Sequence, residues 1–379
     1  MNEKTSALYS EYIIDGIRQD LTPARMLDAC LASAPAPSDS SADYEPVVDE
    51  TLDPALKPCV TDPSGVEDYW RSIQALEEKV FPTAFPETYA KTHIAFSLID
   101  AIWRRGHFRL DDLALKIGWR WNTGRIGSMT AFYSSVAAAA DYIDLLGLRI
   151  ADYSFDETSG ESCIGVSAVL TPQKGDEGEE DFFGELPFRT EHPKMGRSAF
   201  APSKMQDDAQ SWLIYIPFEN CVYRLGASRL AQVLGVSGAV APQILDADYF
   251  IDCYEVVREL VEDGIVLAGT TVGEGGLYSA LKDMASEGVG ISADLADLSR
   301  ATGEGDIVRL LFSEVPGVLI QIADGDYDYV DAELLLQDVA FYPLGHPCKG
   351  GVEASVSETS GVRRILESLI SSRSSEGED

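Results

Sequence analysis

The sequence predicts a mixed α/β protein with two domains, and three features of the chain support this prediction. Its 379 residues are enough for two compact domains, each with its own core. Segments whose apolar residues alternate, as in strands, are interleaved with segments in which they recur every three or four residues, as in helices. An acidic segment with Gly and Pro, residues 173–203, interrupts that pattern and marks the predicted interdomain loop.

Residues 1–64 precede the first predicted domain and are predicted to form an extension. One or two short helices are expected within residues 1–31, because several apolar residues there fall on one helix face: Tyr12, Ile13, Ile17 and Leu21. The following stretch, up to residue 64, is rich in Pro, Ser and Asp. Its composition predicts a linker without a packed core.

The first domain is predicted to span residues 65–172. Apolar spacing predicts one helix around Ala95–Ile102 and an Ala-rich helix around Phe132–Ile143. Three segments are predicted strands, namely LALKIGWRW, RIADYSF and the alternating CIGVSAVL. These elements predict a sheet covered by helices.

The second domain is predicted to span residues 204–365. It begins with strand WLIYIP, a helix around SRLAQVLG and a longer helix with Phe250 and Val257 on one face. A strand, a glycine-rich turn and a helix follow, and then strand GVLIQIA, helix DAELLLQDV and strand AFYPLG. This alternation predicts an α/β sandwich. The polar residues 366–379 are predicted to be a disordered tail.

The net charge and the apolar content argue against two classes of partner, nucleic acids and membranes. A formal net charge of −34 argues against binding to nucleic acid or to anionic lipid, since neutralising phosphates requires Lys and Arg. No apolar run approaches the roughly 18 residues that span a membrane. The N-terminus lacks a basic region followed by an apolar segment, so a cytoplasmic location is expected.

The glycine-rich turn is the first candidate site. Strand residues Ile265–Leu267 lead into a loop with Gly275 and Gly276, and an amphipathic helix follows. A helix start after such a loop can present N–H groups to a phosphate, which makes Glu274, Gly275 and Gly276 candidate ligand-binding residues. The alternative is a tight strand-to-helix turn, because the Lys and Ser/Thr of a Walker-type loop are missing.

An acidic cluster is the second candidate site. Asp152, Asp156 and Glu157 follow one another closely at a predicted strand, together with Ser154. Carboxylate oxygens are the ligands that Mg²⁺ prefers, so the three acids are a candidate metal site. The alternative is an exposed acidic loop in an acid-rich chain.

The order of three strings in the second domain resembles a known family. LGASRLAQVLG, AGTTVGEGGLYSALKDMA and LFSEVPGVLIQIA are similar in order and spacing to the C-terminal domain of the aminoimidazole ribonucleotide synthetase superfamily. Within it the likeness is to phosphoribosylformylglycinamidine synthases, and it covers most of residues 205–345. Residues 88–170 show a thinner resemblance to the family's N-terminal domain.

The resemblance implies a function, cofactors and partners. It implies an ATP-dependent carbon–nitrogen ligase of de novo purine biosynthesis that uses ATP and Mg²⁺ and acts on a sugar phosphate or nucleotide. It implies a homodimer, or a heterodimer with a homologous synthase, in which the N-terminal sheets pair into a barrel. It also adds candidate ligand-binding residues, since Gly226 and Ser228 match a family LGGS motif and Ser154 falls in the family's Gly-Lys-Asp-Ser motif.

Several of the family's metal- and phosphate-binding residues are replaced in this chain. Thr270–Gly273 stand where the family has His-Asp-Val-Ser, and Ile117 and Gly118 stand where it has Asp-Asn. Two hypotheses follow, and neither assigns a catalytic residue. The chain is either a synthase-like ligase with degraded motifs, or a catalytically silent paralogue that serves as a dimerisation partner, scaffold or nucleotide sensor.

Overall fold

The structure is a computed structural model that describes residues 6–32, 44–49, 56–77, 79–104, 109–170 and 201–356. The strands in these ranges are β1 (Glu11–Ile14), β2 (Ile17–Arg18), β3 (Pro46–Asp49), β4 (Leu113–Trp121), β5 (Arg149–Glu157), β6 (Cys163–Leu170), β7 (Trp212–Pro217), β8 (Val266–Val272), β9 (Val289–Asp294), β10 (Gly317–Ile322), β11 (Tyr342–Gly345), β12 (Pro347–Lys349) and β13 (Val352–Ser355). The α-helices are α1 (Pro23–Ala29), α2 (Val66–Gln74), α3 (Pro86–Arg104), α4 (Ser128–Leu145), α5 (Arg229–Val233), α6 (Ala247–Glu262), α7 (Gly276–Met284), α8 (Ala296–Thr302), α9 (Ile307–Phe312) and α10 (Tyr327–Leu336). The mixed α/β class predicted from the sequence is confirmed.

The N-terminal sheet has the strand order β5-β4-β6, with β4 parallel to β5 and antiparallel to β6. Trp119 and Trp121 of β4 point into a core that includes residues of α3 and α4, and both are almost fully buried. Their indole N–H groups donate to the Ser135 hydroxyl and the Ser128 carbonyl of α4. Within the described residues this sheet is open and three-stranded, and its pairing into a barrel with a second chain stays a prediction.

The C-terminal sheet has the order β11-β7-β10-β8 and is antiparallel throughout. Alternate residues of β7 and β10 face opposite sides, as strand geometry requires. Ile214 and Ile320 face a core shared with α6 and with the N-terminal helices, whereas Leu213 and Leu319 face a second core with α7 and α9. One continuous apolar cluster therefore reaches from the N-terminal sheet to the C-terminal sheet.

The prediction of a helix across Tyr12, Ile13 and Ile17 is wrong. These residues form the hairpin β1–β2, and β1 also pairs in parallel with β3. Asp15 and Gly16 have φ angles of 52° and 77°, the left-handed pair that favours a tight hairpin turn over a helix. Among the described residues 6–32, the helix is α1, at residues 23–29.

Several predicted segments lie outside the described residues. They include most of the linker, the interdomain loop up to residue 200 and the tail 366–379. The linker does contribute β3. In the ranges that are described, no helix is both long and apolar enough to cross a membrane.

The start of α4 is capped by a carboxylate from the extension. Asp49, at the end of β3, accepts hydrogen bonds from the main-chain N–H groups of Gly127, Met129 and Thr130 at 2.8–3.0 Å. Gly127 has a φ of 77° and offers no side chain of its own for capping. The Asp49 carboxylate accepts from N–H groups that have no partner within the helix. Its negative charge also interacts favourably with the positive end of the helix dipole.

We expect Asp49→Ala to lower the free energy of unfolding by about 1–2 kcal/mol, because it removes the cap of α4 and leaves three N–H groups without their acceptor. Chemical denaturation measures this loss. Glu45→Ala, which removes an exposed acid four residues earlier, is the control and should change the stability little. Equal losses in the two variants would show that Asp49 does not act as a cap.

Candidate functional site

A cleft of about 550 Å³ lies between the two sheets. Its walls come from α3, β6, β8, the loop after β8 and α7. The lining is mostly polar and consists of Lys79, His93, Phe96, Ser97, Asp100, Ala101, Val166, Ser167, Ala168, Thr270, Thr271, Gly273, Glu274, Ser279, Ala280 and Asp283. The volume falls within the range of small-molecule sites in proteins.

Glu274 lies at the edge of the cleft and binds three basic side chains. Its carboxylate accepts from Arg229 Nη2 at 2.8 Å, from His93 Nε2 at 3.2 Å and from Lys79 Nζ at 2.7 Å. Burial opposes ionisation of Glu274, but the hydrogen bonds and charges of His93, Arg229 and Lys79 outweigh it and hold its pKa well below the usual range. Glu274 is therefore an ionised and already neutralised group.

His93 and Arg229 are fixed by further contacts. The Nδ1 atom of His93 lies 2.9 Å from the Tyr89 carbonyl oxygen and its Nε2 atom lies 3.2 Å from Glu274 Oε1, so both ring nitrogens have oxygen partners that fix the orientation of the ring. The Arg229 side chain is only 6% exposed and also donates to Gln232. A buried guanidinium needs its carboxylate partner, so Arg229 and Glu274 depend on each other.

Glu314 is buried behind the cleft and joins two helix starts. Its Oε1 atom accepts from the N–H of Arg229, at the start of α5, and from the N–H of Gly275, just before α7, both at 2.8 Å. Burial raises the pKa of Glu314 to about 7, while Arg229 and the two main-chain N–H groups act in the opposite direction.

The glycine-rich turn forms the predicted strand–loop–helix geometry, but the N–H groups of Gly275 and Gly276 donate to acceptors within the chain. Gly275 has a φ of 80°, and its N–H donates to Glu314. The N–H of Gly276 donates to the Gly273 carbonyl at 2.9 Å. A Cβ atom at Gly276 would lie 2.6 Å from the Leu311 carbonyl oxygen, so glycine is needed there for close packing. The geometry favours the interpretation as a tight turn.

Gly226 and Ser228 lie outside the cleft. The N–H of Gly226 donates to the Val240 carbonyl at 2.8 Å. Ser228 is buried, donates to the Leu225 carbonyl and accepts from the Ala231 N–H, which makes it the N-cap of α5. Ser228 also borders a separate cavity of about 370 Å³. Both residues have structural tasks, and the structure does not bring them together with Glu274 in the cleft.

The predicted metal ligands are spread along β5. Asp152 and Asp156 are four residues apart, which is about 13 Å along a strand, and Glu157 points to the other face. Asp152 and Ser154 border a small hollow of about 180 Å³ beside Lys116. Among the described residues, no group of three or more His, Cys, Asp or Glu side chains could hold a metal ion. The structure does not assemble the predicted Mg²⁺ site.

The sequence did not identify most of the polar residues of the cleft. Thr271 donates to Asp100 at 2.6 Å and accepts from the Trp103 indole at 3.0 Å, which ties β8 to α3. Such pairs are more than 160 positions apart, so no local spacing could reveal them. Arg229 did carry one signal, since it is a basic residue directly before the apolar Leu230 and Ala231 in a short amphipathic helix.

Comparison with known proteins relates the chain to one family. Residues 226–354 match the family model described as AIR synthase related protein, C-terminal domain. The chain is 25% identical over 264 residues to the probable phosphoribosylformylglycinamidine synthase, chloroplastic/mitochondrial, of Arabidopsis thaliana, covering 69% of this chain and 17% of that protein. It is 22% identical over 283 residues to the Homo sapiens phosphoribosylformylglycinamidine synthase, covering 74% of this chain and 19% of that protein.

A solved structure shares the fold. T. maritima PurL complexed with FGAR matches with a TM-score of 0.51 and 12% identity, over 72% of this chain and 41% of that one. At that identity the match shows the fold alone. The chain spans less than a fifth of the length of the two curated relatives.

The buried carboxyl of Glu314 predicts a dependence of stability on pH. Because its folded pKa of about 7 lies above the ordinary glutamate value of 4.5, its contribution is present at acidic pH and is lost as the pH rises through 7. We expect the wild type to lose about 2 kcal/mol relative to Glu314→Gln between pH 5 and pH 8.5. Urea unfolding of both proteins across that range measures the difference. Parallel stability curves would contradict a raised pKa.

Proposed function

Because this chain belongs to the superfamily of AIR synthase related proteins, we propose that it is a synthase-like protein of purine biosynthesis that binds a small ligand but is not an independent ligase. The names of its curated relatives support the pathway. The arrangement of Glu274 and Glu314 supports the loss of ligase activity. Of the two hypotheses from the sequence, this is the one in which the chain is a catalytically silent paralogue.

The proposal depends on one observation: the donors and cations at the glycine-rich turn are already paired with acids of the protein. An ATP-dependent ligase needs N–H groups and cations that are free to hold a triphosphate. Here the Gly275 N–H donates to Glu314, and Arg229, His93 and Lys79 all bind Glu274. A phosphate that approached the turn would meet the carboxylate of Glu274 instead of unpaired donors. The residues present do not fit ATP at this turn.

The residues present do not fit Mg²⁺ either. A cation at Glu274 would have to displace the Arg229 side chain, which is only 6% exposed. Breaking such a buried pair costs about 3–5 kcal/mol, because the remaining charge is left without a partner. The acids of β5 offer no replacement, since they are spread along the strand. We therefore derive no catalytic step through Mg-ATP.

The cleft can still bind a ligand. Ser97, Ser167 and Thr270 add hydroxyl groups to its lining, and the fixed Glu274 cluster forms one end. A preformed polar cleft of this kind can hold a small polar molecule without reacting with it. Ligand binding without turnover is the property of a sensor or of a regulatory subunit.

We also propose that the chain pairs, with itself or with a homologous synthase, through the outer face of the β5-β4-β6 sheet. Helices α3 and α4 cover one face, while the other exposes Arg120, Asp152 and Asp156. The strand register places Arg120 beside Asp156 and Lys116 beside Asp152, so that face carries both signs of charge. Such a face favours a polar, salt-sensitive interface.

We expect Mg-ATP, Mg-ADP and formylglycinamide ribonucleotide to leave the melting temperature unchanged and to give no heat in calorimetric titration. A ligand at one hundred times its Kd would stabilise the fold by about 2.7 kcal/mol, so specific binding would be visible. An active two-module synthase is the positive control for both titrations. Micromolar binding of Mg-ATP, together with ammonia-dependent release of phosphate, would show that the chain is a ligase.

A further inference from the structure

Helix α10 carries an apolar row on a side that faces away from the core. Its buried residues, Val330 and Leu334, belong to the core that is shared with α6. At 100° per residue, Tyr329, Ala332 and Leu336 fall together on another side of the helix, and all three are exposed. The α10 stripe is this row of three residues. Single exposed apolar residues are normal on a protein surface, whereas an aligned row of them is typical of a binding surface.

The α10 stripe borders an acidic surface of α6. Helix α6 contains five acids and one arginine, and its three exposed residues are all acidic: Asp248, Asp252 and Glu259. The two helices are neighbours, since the Tyr249 hydroxyl of α6 accepts from the Ala340 N–H just beyond α10. Desolvation, and then the charges of nearby acids with Glu259 among them, raise the pKa of Tyr329, so this side chain lies towards the acidic side of α6. A partner for this surface therefore needs an apolar row next to positive charge.

A segment of this chain with that pattern follows the last described residue. Residues 361–373, GVRRILESLISSR, contain three arginines and one glutamate, in a chain with 29 basic and 63 acidic residues. Five apolar residues recur there at i, i+3, i+4, i+7 and i+8, the spacing of one helix face: Val362, Ile365, Leu366, Leu369 and Ile370. At 100° per residue, Arg363 falls at the edge of that face. The segment thus combines an apolar row with adjacent positive charge.

The described chain ends close enough to α10 for this segment to reach it. Ser355 pairs with Asp294, directly before α8. Burial, and then nearby acids with Asp297 of α8 among them, raise the pKa of Tyr327, which places the start of α10 near α8. The chain from residue 356 to residue 362 spans up to about 20 Å when extended. Since α10 is about 15 Å long, residues 361–370 can lie along it.

We propose that residues 361–370 dock as an amphipathic helix along the α10 stripe, with their apolar face against Tyr329 and Leu336 and with Arg363 beside the acidic side of α6. In this mode of recognition, apolar side chains at i, i+3, i+4 and i+7 are the anchors. Attachment within one chain gives the segment a high effective concentration, so a small interface is sufficient. The predicted polar tail then begins at residue 371. The α10 stripe lies outside the cleft lining, so its occupancy is independent of the proposed function.

Amide hydrogen exchange of the full chain, measured by mass spectrometry, tests the docking. We expect the amides of residues 366–370 to exchange about tenfold or more below their intrinsic rates, because each would donate to the carbonyl four residues earlier. The amides of residues 371–379 should exchange at their intrinsic rates. Added salt should speed the exchange of residues 366–370, since it screens the attraction between Arg363 and the acids.

Three variants locate the docking surface. Leu336→Ala should bring the exchange of residues 366–370 to within about threefold of the intrinsic rates, because it removes one anchor. Leu335→Ala is the matched control and should leave the exchange unchanged. Leu335 is 73% exposed and Leu336 is 77% exposed, but the two side chains point to different sides of α10. Leu366→Ala should act as Leu336→Ala does, and combining the two should add little, because both remove the same contact.

Three outcomes would contradict the docking. Exchange of residues 366–370 at the intrinsic rates in the wild type would show that the segment is not docked. Equal loss of protection in Leu335→Ala and Leu336→Ala would show that it does not bind the α10 stripe. Sedimentation velocity identifies a second copy as the occupant. A dimer that Leu336→Ala dissociates, with no change in the exchange of residues 366–370, would assign the α10 stripe to that second copy and overturn the proposal.

Discussion

The carboxyl group of Glu314 holds together the starts of α5 and α7, and the shape of the cleft depends on this contact. One oxygen receives the N–H groups of Arg229 and Gly275, which lie far apart in sequence. The same contact fixes the backbone directly after Glu274, whose carboxylate binds the Arg229 side chain. At each of these helix starts, one N–H group that could bind an external anion is bonded to an acid of the protein itself.

A side-chain carboxyl accepts from main-chain N–H groups at a helix start in two places in the structure. Asp49 occupies the start of α4, just as Glu314 occupies the approach to α7. In both places a side-chain carboxyl takes the position that a phosphate could occupy at a helix start. The chain shares the fold of T. maritima PurL and uses its own acids to stabilise these two helix starts. In the cleft, the basic side chains of Lys79 and His93 and the buried Arg229 are likewise paired with an acid of the protein, Glu274.

Much of the fold could be predicted from the sequence because helix and strand periodicities are local. The segments around β4, α4, α6, β10 and the β8–α7 turn show this clearly. The hairpin at Tyr12 was missed because the spacing of its apolar residues fits both a helix and a strand. The left-handed turn at Asp15 and Gly16 is what makes the segment a hairpin. Glu274 and Gly275 were found because glycines mark the turn, whereas His93 and Lys79 were not. These two residues lie about 180 to 195 positions from Glu274 in the sequence. Local spacing cannot reveal such a contact, because it forms only when the chain folds.

A crystal structure of the protein grown with Mg-ATP tests the central claim most directly. The account predicts that Glu274 stays bonded to Arg229, that the Gly275 N–H stays on Glu314, and that no phosphate density lies against the turn. A triphosphate seated on the Gly275 N–H, with Arg229 or Lys79 turned away from Glu274 to bind it, would contradict the account.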